Sequence, residues 1–91
     1  MQVRWTRPAA QDLQQIARRI RQDNPPAALR VAKTIYDGCM ALETFQNRGR
    51  TGRRAGTREL VFAPLPYIAV YRVKEEVVEI LRIYHSAQNW P

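Results

Sequence analysis

The chain has 91 residues, 45% of them hydrophobic, enough for one small domain spanning 1–91 and too few to divide between two cores, since a chain this short buries only about 60–65% of its unfolded surface. Its 15 basic residues, all arginine except Lys33 and Lys74, face 8 acidic ones for a net charge of +7, which points to an anionic partner: nucleic acid or an acidic protein segment. A lone Cys39 excludes a disulfide framework, and no apolar run approaches a membrane span or a signal sequence, so the expectation is a cytoplasmic protein with no membrane association.

The predicted elements begin with a short strand at Gln2–Trp5, in which Val3 and Trp5 alternate with polar neighbours. Thr6 then suits an N-cap with Pro8 in the first helical turn, and Leu13, Ile16, Ala17 and Ile20 fall on one face of a helix. The run DNPPAA stops that helix and starts another, with Asn24 as cap and Pro25 at its first position. Along the second helix Ala28, Ala32, Ile35, Cys39, Leu42 and Phe45 make a stripe at steps of three and four. So short a turn between two amphipathic helices predicts an antiparallel hairpin.

The segment NRGRTGRR places Arg48, Arg50, Arg53 and Arg54 in one glycine-containing loop, read as a mobile basic arm for RNA or a protein partner. Three strands follow, TRELVF, PYIAVYRV and VVEILRIYH, rich in β-branched and aromatic residues and joined by the short links APLP and KEE. They predict an antiparallel meander. The order β-α-α-β-β-β gives an α+β fold, with the helical hairpin packed on one face of an antiparallel β-sheet and the other face partly open. Function is expected on that open face.

One histidine and one cysteine cannot furnish a zinc site, and RGRTGRRAG lacks the spacing of a phosphate-binding loop, so neither metal nor cofactor is expected. What remains is Arg58, Arg82, Tyr84 and His85 as candidate catalytic groups, with Tyr67 and Tyr71 on the middle strand expected to bind RNA or a partner. Cleavage of RNA through its own 2′-hydroxyl needs a base, an acid and cations for a dianionic phosphorane. Arginine fits the last role, and imidazole, which changes charge nearest neutral pH, fits a proton carrier. Strand alternation places Arg82 and Tyr84 on one face and His85 on the other unless a bulge intervenes. The architectural alternatives are a strand-end pair for Tyr84 and His85, and a cross-strand ion pair with Glu79 for Arg58.

The passages WTRPAAQDLQQIARRIRQDNPPAA and GTRELVFAPLPYIAVYRVKEEVVEILRIYHSAQNWP together resemble the RelE/ParE superfamily of bacterial toxins from type II toxin-antitoxin modules. The most specific parts are G-x-R-E-L, P-Y-I-x-x-Y-R-V, and I-L-R-I-x-H with its aromatic-proline tail, and the likeness covers essentially the whole chain. The resemblance implies a growth-arresting toxin neutralised by a cognate antitoxin that wraps it. Its target would be ribosome-bound mRNA, cleaved as in RelE-like members, or DNA gyrase, inhibited without bond cleavage as in ParE-like members. In the nuclease case Arg58 and Arg82 would hold phosphate and Tyr84 or His85 would move protons. A RelE-type lysine set is missing, because neither Lys33 nor Lys74 lies in the second strand or the loop before it. Antitoxin contacts are expected on the open sheet face, beside the helical hairpin and at the arginine loop, with apolar anchors near Trp5 and Phe62.

Overall fold

The computed structural model describes residues 1–88. Strand β1 (Gln2–Trp5) leads into helix α1 (Arg7–Asp23), helix α2 (Pro25–Met40) and a 3-10 turn at Ala41–Glu43. Strands β2 (Arg50–Thr51), β3 (Arg58–Val61), β4 (Tyr67–Lys74) and β5 (Val77–His85) follow. All five form one sheet in the order β1-β5-β4-β3-β2.

Both helix starts obey their capping residues. The Thr6 hydroxyl accepts the Ala9 N–H at 3.3 Å and donates to the Ile80 carbonyl at 2.8 Å, so the cap of α1 is also a tie to β5. Asn24 accepts the Ala27 N–H at 3.1 Å, and the prolines behind each cap supply the fixed φ of a first turn. The stripe of α2 ends sooner than its spacing predicts: the helix stops at Met40, Leu42 is buried in the 3-10 turn, and Phe45 lies beyond it, 60% exposed.

The meander of β3, β4 and β5 is antiparallel as expected, whereas β1 pairs with β5 in parallel, Gln2 opposite Val77 and Trp5 opposite Ile80. The sheet is therefore mixed. The helical hairpin between β1 and the meander is long enough to carry the chain over one face and return it, which a tight turn could not do. Between β4 and β5 the link is two residues, Glu75 and Glu76, with φ of 53° and 63°. Positive φ at both positions is the backbone of a type I′ hairpin turn, which follows the twist of the flanking strands.

Under the helices lies the main core, including Ile35, Cys39, Leu42, Leu60, Tyr71, Val78, Ile80 and Ile83, with Val3, Trp5, Leu13 and Ile16 packed against it. Burial pushes the Cys39 thiol up to about 12, so it is a packing group at neutral pH. The opposite face is less open than expected, for Ile68, Val70 and Tyr84 are all buried there, with Leu81 against them. None of the helices among the described residues is long and apolar enough to cross a membrane.

Candidate functional site

The arginine loop is a closed hairpin on the sheet edge, in place of the mobile arm that its composition suggests. Arg50 and Thr51 pair with Glu59 and Arg58, and the Gly52 N–H donates to the Thr57 carbonyl at 2.8 Å. Glu59, only 2% exposed, draws the loop inward. It accepts two bonds from Arg50 at 3.1 and 2.9 Å and a longer one from the Arg53 backbone at 3.4 Å. Arg48, Arg53 and Arg54 keep exposed positions around this hairpin.

Further along the same sheet face a second carboxylate is enclosed. Glu79 stands in register between Arg4 on β1 and Arg72 on β4 and is hydrogen-bonded to both, the Arg72 contact at 2.6 Å. Bonds from Arg4 and then Arg72 hold its carboxyl below the ordinary carboxylate range. The predicted partner of Glu79 is thus replaced by two others, and Arg58 is engaged elsewhere: its guanidinium donates to the carbonyls of Gly49 and Asn47, each at 2.9 Å.

Tyr71, expected at a binding surface, is instead fully buried. Its hydroxyl accepts the Gly49 N–H at 2.9 Å and donates to the Gln46 carbonyl at 2.8 Å. The phenol and Arg58 together latch the loop leading into β2. Gly49 is needed there because a Cβ would stand 2.7 Å from the Tyr71 ring and 2.8 Å from the Glu59 carbonyl.

The end of β5 forms one wall of a cleft of about 280 Å³, opposite α1, lined by Asp12, Gln15, Arg19, Tyr67, Arg82, His85 and Gln88 among others. Here Asp12 is the organiser. Both its oxygens accept from Arg82, at 2.7 and 3.0 Å, and one also takes the Ile83 N–H at 3.0 Å, covering a stretch of β5 beyond the reach of β1. Sequence reading passed over this residue, though a signal exists: Asp12 lies among Ala9, Leu13 and Ile16, where an acid on an apolar stripe needs a partner.

His85 belongs to a turn that ends the strand. Its Nδ1 accepts the Ala87 N–H at 3.0 Å, its own N–H donates to the Gln88 side chain at 2.7 Å, and its ring meets Tyr67 edge-on at 5.6 Å between centroids. With Nδ1 occupied as an acceptor, the neutral imidazole carries its proton on Nε2.

The four predicted catalytic groups do not share one centre. Register shifts between Val70 and Tyr71, and beyond that irregularity Tyr84 packs with Ile68 and Val70 on the face away from the helices, while His85 stays with Tyr67. Burial raises the Tyr84 phenol above its ordinary range, aided by the nearby Glu59 charge, which keeps it protonated and makes it a poor base. Arg58 pairs with Tyr71 and His85 with Tyr67, on opposite sides of β4. Their backbones are therefore about 13 Å apart along the strands and about 10 Å across them. Arg82, Tyr84 and His85, with Tyr67, touch the cleft, and Arg58 does not.

Of the predicted antitoxin anchors, Phe62 is a core residue against Gly38, and Trp5 is half-buried, stacked on Tyr36 at 5.8 Å. Exposed apolar surface is supplied by Val61, beside Phe62, and by Phe45, 44% and 60% exposed. The aromatic-proline tail, whose last residues are Trp90 and Pro91, lies outside the described residues.

Comparison with known proteins places these features in a common setting. A family profile described as the ParE toxin of the type II toxin-antitoxin system parDE matches residues 3–90. Y4kP of Sinorhizobium fredii, assigned as a toxin, is 44% identical over 89 residues, 98% of this chain and 92% of its own length. Toxin RelE2 of Caulobacter vibrioides is 40% identical over 87 residues, 96% of this chain and 97% of its own. Among solved structures, a chromosomal ParDE toxin-antitoxin system from P. aeruginosa superposes with a TM-score of 0.86 at 33% identity, covering 93% of this chain and 95% of that one. A chain of the RelBE2 toxin-antitoxin complex from Mycobacterium tuberculosis gives 0.66 at 25% identity, covering 96% and 92%.

Proposed function

Because this chain belongs to the ParE toxin family of type II toxin-antitoxin systems, we propose that it arrests growth in the bacterial cytoplasm as a ParE-like, non-enzymatic inhibitor of DNA gyrase. It acts by docking on its target, and no bond is broken by its own side chains. The observation that supports this reading is the dispersal of the candidate catalytic residues: Arg58 is spent on two loop carbonyls, Tyr84 is buried on another face, and the Nδ1 of His85 is taken by a backbone N–H.

A cognate antitoxin neutralises it. Exposed Phe45 and Val61, which line two concavities that share Arg48, support an anchoring site beside the helical hairpin for an acidic-apolar segment of that partner.

The test is a supercoiling assay with purified gyrase, together with mapping of transcript ends after induction. Expected are lost supercoiling, trapped gyrase-DNA complexes, no new site-specific mRNA ends, and full growth arrest by the His85→Ala variant. A second reading, ribosome-dependent mRNA cleavage, draws support from Arg82, Tyr84 and His85 lining one cleft. It is favoured instead if gyrase is untouched, new ends appear within codons, and His85→Ala and Arg82→Ala each abolish arrest while remaining folded and antitoxin-bound.

A further inference from the structure

We infer that the outward face of α1 is a docking surface for the sugar-phosphate backbone of duplex DNA. Arg7, Gln11, Gln14, Arg18, Arg21 and Gln22 recur at helical spacing and are all exposed, forming one stripe about 22 Å long at 1.5 Å per residue. None of the three arginines has an acidic partner among the described residues. This separates them from Arg4, Arg50, Arg72 and Arg82, each neutralised by Glu59, Glu79 or Asp12. Part of the +7 charge is thus carried by one exposed helix face, in addition to the arginine-rich hairpin that the sequence advertises.

Two properties of the stripe select the occupant. It contains no apolar residue, whereas a protein interface needs a dehydrated apolar centre, and nucleic-acid interfaces are more polar and more positive. The interleaved glutamines add neutral donors that reach phosphate and sugar oxygens. A helix about 10–12 Å across also suits the rims of the B-form major groove, about 12 Å wide, and not the narrow major groove of A-form RNA. The choice of DNA rests on the gyrase reading above; the phosphate chemistry rests on the helix alone.

The experiment is fluorescence anisotropy of the purified chain with a labelled DNA duplex of about two helical turns, titrated between low and moderate salt. Three arginine-phosphate contacts predict a log-log slope of about −3, or roughly 40-fold weaker binding for a fourfold rise in salt. Replacing Arg7, Arg18 and Arg21 together by Gln, a good helix former on exposed positions, is expected to remove most of that slope and weaken binding about tenfold or more. The charge-matched replacement of Arg30, Lys33 and Lys74 by Gln leaves the slope in place. Equal losses in the two triple variants, no loss in the first, equal binding of an RNA duplex of the same length, or displacement of DNA by poly-glutamate would each overturn the inference. Neither gyrase nor ribosome is present in this measurement, so its failure leaves the proposed target standing.

Discussion

The two faces of the sheet bury their residues by different physics. Toward the helices, Ile35, Leu42, Val78, Ile80 and Ile83 exclude water by apolar packing, and the buried Tyr71 hydroxyl is satisfied by two backbone groups. On the far side a small cluster of Ile68, Val70 and Tyr84 is flanked by two enclosed carboxylates, Glu59 and Glu79, each hydrogen-bonded by arginine. Guanidinium groups there serve the fold: they neutralise charges that a bare sheet face could not bury. The difference teaches that arginine count is a poor guide to where a protein offers charge to a partner. Availability depends on which cations already have a carboxylate.

Four changes break or sharpen this contrast. The largest loss is expected on the helix-covered side, from Gly49→Ala, whose Cβ meets ring and backbone together. We expect about 3 kcal/mol of destabilisation by thermal or urea unfolding. Tyr71→Phe follows, leaving the buried Gly49 N–H without its acceptor, at about 2 kcal/mol by the same measurement. On the far side Arg50→Gln should cost only about 1 kcal/mol, since the Arg50 side chain is 59% exposed and the Arg53 backbone still reaches Glu59. A loss as large as that of Gly49→Ala would mean that the two faces are held equally firmly by these contacts.

The smallest effect concerns pH. Arg4 and Arg72 depress the Glu79 carboxyl in the folded chain, so its contribution to stability is present above the ordinary carboxylate range and is lost as pH falls through the lowered value. Urea midpoints measured from neutral to acid pH should therefore fall less steeply in Glu79→Gln than in the parent. Superimposable curves would detach Glu79 from the acid response.

The elements were legible in the sequence because each is written locally. Thr6 and Asn24 cap, prolines punctuate, and β-branched runs give the strands, so the helical hairpin and the meander follow from short-range rules. Parallel pairing of β1 with β5 was not legible, since no local signal tells a strand which distant neighbour it joins. At the site the limit was similar. Strand alternation correctly warned that Tyr84 and His85 diverge, but whether Arg58 would meet Glu79 or two loop carbonyls depended on how the chain from Gln46 to Gly49 came to lie over β3. Tyr71 was misread as a surface group because an aromatic on a central strand fits either face until its hydroxyl finds partners.

The partnership of the first and last strands bears on synthesis. Arg4 and Glu79 are 75 positions apart, and Thr6, which starts α1, also leans on the Ile80 carbonyl. A nascent chain that has not yet extruded β5 therefore lacks the strand that joins β1 to the rest of the sheet. Closure of the sheet must therefore wait for synthesis of its last strand, so no shorter stretch of the chain carries the complete toxin domain.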